Sequence, residues 1–194
     1  MEELKGRLRT SALQARQRLT REERRGASGA VVDRLLSLRE LQAARTVLLY
    51  AARAEEVDLT ALVGPLRQGG ARTLFPRVRG SRLELVAASD LLTLQLGHRG
   101  VREPAGPPID PEVVDVALVP GAAFDPHGGR LGMGGGHYDR LLPDLSETAL
   151  RVGVCFACQV VPKVPREPHD EPVDLVVTER ARYITEARVL RDDA

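Results

Sequence analysis

The sequence predicts an α/β fold: a single three-layer, Rossmann-like domain with a mostly parallel central sheet flanked by helices. Three observations predict it. Short apolar runs alternate along the chain with amphipathic or capped helical stretches. A glycine-dense loop follows the carboxyl end of one such run, where open parallel sheets bind ligands. The 194 residues, 43% apolar and 28% charged, suit one sizeable domain, residues 1–194, and no linker divides them.

The elements follow in order. Residues 2–18 are expected to be helical, with Leu4, Leu8, Ala12 and Ala15 forming the apolar stripe. Thr20-Arg21-Glu22-Glu23 fits a capping box, opening a second helix that runs to about Ser37. Thr46–Tyr50 is a short apolar strand. Asp58 is placed to cap a helix through Leu66, ended by Gly69-Gly70. Ala71–Phe75 and Leu83–Val86 are strands, and residues 87–113, with Pro104, Pro107, Pro108 and Pro111, are expected to be loop-rich. Val114–Val119 is the strand that feeds the glycine loop. Tyr138–Leu142 is helical, Val152–Phe156 and Leu175–Val177 are strands, and Glu179–Ala194 is a polar segment without a clear pattern.

Composition excludes several function classes. A net charge of +1 gives no general pull toward nucleic acid or membrane. The arginines of the first forty residues alternate with acids and lack interleaved aromatics, unlike a nucleic-acid surface. Their ordinary meaning is a solvated helix face; the sharper reading is that one or two point into an anionic site. Lysine is confined to Lys5 and Lys163. No apolar stretch is long enough to span a bilayer, and Met1–Lys5 opens no hydrophobic signal core. A cytoplasmic monomer is expected. Cys155 and Cys158 form a C-x-x-C string within a strand-like run, with no second pair to complete a zinc site; both are expected to be small buried hydrophobes. His98 and His127 have no partner at metal-ligand spacing and are expected in loops or at the surface.

The chemistry-bearing stretch is Val116–Arg140. Its glycines let backbone N–H groups converge on a ligand, and Arg130 offers a planar fork that suits phosphate oxygens. The loop enters a helix N-terminus, and Asp139 stands beside it as a candidate metal ligand. No G-x-x-x-x-G-K-[ST] string exists, and His137 sits where G-x-G-x-x-G needs its last glycine. The pattern is therefore a phosphate cradle of another kind; the bland alternative is a tight strand-to-helix turn.

Pro120–Asp139 resembles the signature of the 5-formyltetrahydrofolate cyclo-ligase family, also called methenyltetrahydrofolate synthetases. Further segments follow the family pattern in order: Lys5 and Arg9, Glu55–Asp58, Phe75-Pro76-Arg77, Glu103-Pro104, Gln159, Val164–Asp170, Val173-Asp174 and Val177–Glu179. The resemblance implies ATP- and Mg2+-dependent closure of 5-formyltetrahydrofolate to 5,10-methenyltetrahydrofolate, with release of ADP and phosphate. It implies nucleotide contacts from Lys5, Arg9 and the loop residues Arg130, Leu131, Gly132, Met133, Gly134, Gly135, Gly136, His137 and Tyr138. It also implies that Arg130 and Tyr138 carry the catalytic role. Asp139 and Asp170 are the implied magnesium ligands. Ala51, Glu56, Met133, Gly134, Gly135, Gly136 and His137 are the implied folate contacts, with Glu56 accepting the adjacent donors of the pterin edge. From the residues alone, Lys5 reads as a surface lysine, Asp139 also as a helix-start charge, and Glu56 equally as a helix-start acid. His137 replaces the usual first tyrosine, and Met133 a position that is often basic. The alternative these departures leave is a folate- or nucleotide-binding member that has lost activity or acts on another small formyl-type substrate.

Overall fold

The apolar runs do pair in parallel, around one large sheet. In the computed structural model, which describes residues 1–185, the helices are α1 (Glu2–Gln17), α2 (Arg21–Leu36), α3 (Arg39–Ala43), α4 (Thr60–Gln68) and α5 (His137–Leu141). The strands are β1 (Thr46–Leu48), β2 (Arg72–Arg79), β3 (Arg82–Ala87), β4 (Gln95–Leu96), β5 (Arg102–Glu103), β6 (Val116–Pro120), β7 (Ala123–Phe124), β8 (Arg130–Leu131), β9 (Leu150–Val154), β10 (Leu175–Val177) and β11 (Arg182–Ile184). Seven of them form the sheet in the order β11-β10-β9-β6-β1-β2-β3. The five inner strands are parallel and both edges are antiparallel.

Successive side chains on a strand point to opposite faces, and here both faces are covered. Val47, Val116, Leu118 and Val152 pack with Val31 and Leu35 of α2, Leu41 of α3 and Leu62 and Leu66 of α4. Leu48, Ala117, Val119 and Val176 face the other way, against Phe124, Leu141, Leu142 and Leu145. Sheet and two coverings make the three layers. Each fully buried leucine contributes about 1.5–3 kcal/mol.

The chain leaves β1 toward β2 on one side and toward β6 on the other. That reversal opens a crevice beyond the carboxyl ends of β1 and β6, where Tyr50-Ala51 and Pro120-Gly121 lie.

Local signals held well at the helix starts. The capping box forms: Glu23 N donates to Thr20 Oγ1 (3.2 Å) and Thr20 N to Glu23 Oε2 (2.7 Å). Asp58 instead closes a turn onto Thr60 N (2.9 Å), and α4 begins one residue later than expected, with Leu59 as its N-cap. Residues 87–113 are less irregular than their prolines suggest, because β4 and β5 pair as a small flap. Helix α3, the β7–β8 pair and β11 had no distinct sequence signal; β11 forms because it pairs with the edge strand β10. Residues 186–194 of the polar C-terminal segment lie outside the described residues.

Two expectations are corrected. The expected stripe of α1 is buried only in part: Leu8 and Ala12 pack with Ala123, Leu131 and Val164, but Leu4 is 56% exposed, and Lys5 and Arg16 are buried beside them. The helix docks against the site, so its cations are covered. Cys158 is exposed and only Cys155 is buried, because β9 ends at Val154 and a 3₁₀ turn over Ala157–Gln159 swings Cys158 outward. Among the described residues no helix is long and apolar enough to cross a membrane.

Candidate functional site: a glycine loop between two cavities

The loop is aimed by buried polar groups that precede it. Asp125 is buried and accepts three backbone N–H groups, from His127 (2.9 Å), Gly129 (2.8 Å) and Val164 (2.7 Å). It closes the β7–β8 turn so tightly that a Cβ at Gly129 would lie 2.3 Å from its carboxylate. The Gln159 side chain donates to the carbonyls of Gly121 (3.0 Å) and Ala122 (2.9 Å), fixing the exit of β6.

Arg130 emerges from that turn. Its Nη2 donates to Asp139 Oδ1 at 2.6 Å, its guanidinium lies 5.7 Å from the Tyr138 ring centre, and its buried Nε has no hydrogen-bond partner. Asp139 Oδ1 also accepts from Glu171 N at 3.3 Å. A Cβ at Gly132 would stand 3.1 Å from Arg130 Nη1, so that glycine lets the guanidinium pass. Gly136, at φ +61°, turns the chain into α5. Because α5 is five residues long, few dipoles are aligned there, and side-chain cations carry most of the pull on an anion.

The loop separates two cavities that share Arg130, Gly132, Gly135, Gly136 and Asp139. The polar one is bordered by Lys5, Arg9, Leu131, Gly134, Arg140 and Asp170, with Glu2, Glu167 and His169. Its charges are already paired. Lys5 Nζ lies 2.8 Å from Glu167 and 2.5 Å from Asp170. Arg9 Nε donates to Gly132 O (2.9 Å), and Arg140 Nη2 to Gly135 O (2.5 Å). Burial works to lower the Lys5 pKa, but the hydrogen bonds to Asp170 and Glu167 outweigh it and hold it above the ordinary lysine value. Asp170 is held down: burial works to raise it, and the bonds from Lys5 and Glu167 N prevail.

The second cavity is mostly apolar. Ala51, Pro76, Val78, Leu83, Val101, Met133 and Tyr138 border it, and Tyr50, Arg53, Glu56, Glu103, His98 and His137 add polar groups to those of the shared loop. Glu56 Oε2 accepts from Arg53 N at 2.9 Å, and Oε1 lies 4.0 Å from Arg16 Nη1. Burial first, and then the Glu56 charge, push the Tyr50 and Tyr138 hydroxyls above the usual tyrosine value. Both therefore remain protonated donors at neutral pH.

The expected site residues are brought together, but sorted by the loop. Lys5, Arg9, Leu131, Gly134 and Asp170 border only the polar cavity, and Ala51, Glu56, Met133, His137 and Tyr138 only the apolar one. The sequence did not single out Arg16, Arg53 or Arg140, and it left His98 outside the site. His98 reaches the apolar cavity from the flap and meets His137 edge to face at 6.4 Å. Arg16 had a signal that went unused: it shares a helical phase with Lys5 and Arg9. Among the described residues no cluster of three or more His, Cys, Asp or Glu forms a ready metal cage.

Fold and site together define an α/β protein with a glycine-loop site at the switch point of a parallel sheet. Comparison with known proteins narrows the class. A family model described as the 5-formyltetrahydrofolate cyclo-ligase family matches residues 1–179, and the chain belongs to that family. It is 35% identical to a 5-formyltetrahydrofolate cyclo-ligase of Mycolicibacterium smegmatis, over 90% of this chain and 93% of the relative. It is 31% identical to the Escherichia coli protein of that name, over 85% and 94%. A solved structure of Aquifex aeolicus 5,10-methenyltetrahydrofolate synthetase superposes with a TM-score of 0.83 at 40% identity, covering 94% of this chain and 93% of that one.

Proposed function

We propose that this protein is an ATP-dependent cyclo-ligase that converts 5-formyltetrahydrofolate to 5,10-methenyltetrahydrofolate, releasing ADP and phosphate. The observation that carries the reading is the sharing of one loop by a charged cavity and an apolar one. Two reactants placed on either side meet at Arg130 and Asp139.

The polar cavity fits a magnesium nucleotide by the chemistry of its donors. Its cations and carboxylates are stored as pairs, Lys5 with Asp170 and Arg130 with Asp139. A ligand bearing both a metal ion and phosphates can exchange with both members of each pair. Lys5, Arg9 and Arg130 would turn to phosphate oxygens, and Asp139 and Asp170 would hold the metal through hard oxygen ligands. When bound, the magnesium nucleotide supplies the phosphoryl group that makes the formyl oxygen a leaving group, lost as phosphate when the position-10 amine closes the ring. The protein's part is positioning and charge neutralisation. Glu56 accepts two adjacent donors of the pterin edge, and Ala51, Met133 and His137 flank the ring system. Tyr138, a neutral donor beneath the Arg130 guanidinium, braces the cation at the junction.

The test is direct. Protein mixed with 5-formyltetrahydrofolate, ATP and magnesium is expected to generate the near-ultraviolet absorbance of the methenyl product, in proportion to phosphate released. Absence of that signal, with no calorimetric heat on adding magnesium nucleotide, would refute the proposal.

A further inference from the structure

Helix α1 carries Lys5, Arg9 and Arg16, and eleven residues bring an α-helix round to nearly the same face after three turns. Lys5 and Arg9 serve the polar cavity. Arg16 stands at the other end of the row, 5% exposed, with its nearest carboxylate, Glu56 Oε1, 4.0 Å from Nη1. Its buried Nε has no hydrogen-bond partner among the described residues. A buried guanidinium with an unfilled donor is costly to keep, and a pair of apolar side chains in place of Arg16 and Glu56 would fill the space at least as well. Packing does not account for it.

We infer that Arg16 is a positioning residue for the folate half of the site: the buried cation behind Glu56 that keeps its carboxylate aimed into the cavity. The inference rests on the folate reading of the apolar cavity. Glu56 has one oxygen fixed by Arg53 N and the other facing Arg16. The remaining polar or titratable groups around that cavity are Tyr50 after β1, Arg53, which meets Glu56 through its backbone N–H, Tyr138 of α5, Glu103 and His98 of the flap, His137, Asp139 and Arg130. Arg130 is committed to Asp139 at 2.6 Å. As a ring system fills the cavity, water leaves Glu56, and a carboxylate stripped of water needs an opposite charge from the protein. Arg16 supplies it without touching the substrate, so its effect is felt in folate binding and not in the chemical step.

The experiment uses the full chain, with Arg16→Met, Arg16→Lys, Glu56→Gln and the double variant R16M/E56Q. Arg16→Met is expected to raise KM for 5-formyltetrahydrofolate about tenfold or more, with kcat and the nucleotide KM changed less than about threefold. The melting temperature of the double variant, which removes both charges, should equal or exceed that of Arg16→Met, which strands Glu56, and Arg16→Lys should recover most of the lost affinity. In the Glu56→Gln background the Met substitution should add less than about twofold, since its partner is gone. If Arg16→Met fails to fold, Arg16→Gln carries the same comparison. An unchanged folate KM, or losses that multiply in the double variant, would overturn the inference while parental turnover kept the ligase reading intact. A parent without turnover would instead remove the ligase reading itself.

Discussion

The two cavities flanking the glycine loop solve the problem of charge in opposite ways. In the polar cavity, cations and carboxylates stand together, and the pairs Lys5–Asp170 and Arg130–Asp139 neutralise one another before any ligand arrives. In the apolar cavity the Glu56 carboxylate is set among Tyr50, Ala51, Met133 and Tyr138, and the cation paired with it, Arg16, lies 4.0 Å away. The first arrangement suits a ligand that itself carries both signs, since every pair it breaks is replaced. The second suits a neutral, flat ligand with a hydrogen-bonding edge, since burying it removes little charge from water. The difference teaches that one loop can serve two ligands because its neighbours, not its glycines, set the polarity on each side.

Substitutions on the two sides should therefore behave differently, and the largest effect belongs where the sides meet. Arg130→Ala should lower kcat/KM for both substrates by on the order of 10³-fold, because it removes a cation from the transferring group and strands Asp139. Steady-state kinetics by methenyl absorbance would check this; an effect confined to one substrate's KM would break the picture of a shared junction. Glu56→Gln should raise the folate KM about 10- to 100-fold, through loss of a charge-assisted pair, and leave the nucleotide KM nearly unchanged. Lys5→Met should do the reverse, raising the nucleotide KM about tenfold with the folate KM intact. Equal losses on both KM values for either variant would show that the cavities are not separable.

A smaller effect concerns stability. Lys5 is raised in the folded protein, so its contribution is complete below its unfolded value, about 10.4, and is lost as pH rises through the higher folded value. Asp170 is lowered, so its contribution is complete above about 3.9 and is lost as pH falls through the lower folded value. The melting-temperature difference between the parent and Lys5→Met should accordingly be flat from about pH 5 to about pH 9 and shrink outside that window. A difference that changes across neutral pH would show that the Lys5–Asp170 pair does not account for it. The smallest effect is expected from His137→Tyr, which keeps a ring against His98 and should alter turnover less than about threefold.

Much of this was legible in the order of residues. Thr20 and Glu23 announce a helix start because their bonds are made within four residues. The alternation of Val116, Ala117, Leu118 and Val119 announces a strand covered on both faces. The loop glycines announce a close approach because their backbone angles are a local property. The α1 face was misjudged for the opposite reason. Helical phase shows which residues share a face, but whether the buried strip beside Ala12 extends to Leu4 or to Lys5 and Arg16 is open until something docks against it. The flap was read as loop because two-residue strands leave too short a pattern, and with it His98 was missed.

The sequence by itself determined the order of helices and strands, the parallel sheet and the family, since each rests on patterns confined to a few neighbouring residues. Only the tertiary structure decided which side of the loop each group serves. It set Lys5 against Asp170 across 165 positions, placed Arg16 behind Glu56, and brought a flap histidine over the apolar cavity. The physical reason is range: backbone preferences act over a turn, whereas ion pairs and burial join groups that only folding makes neighbours.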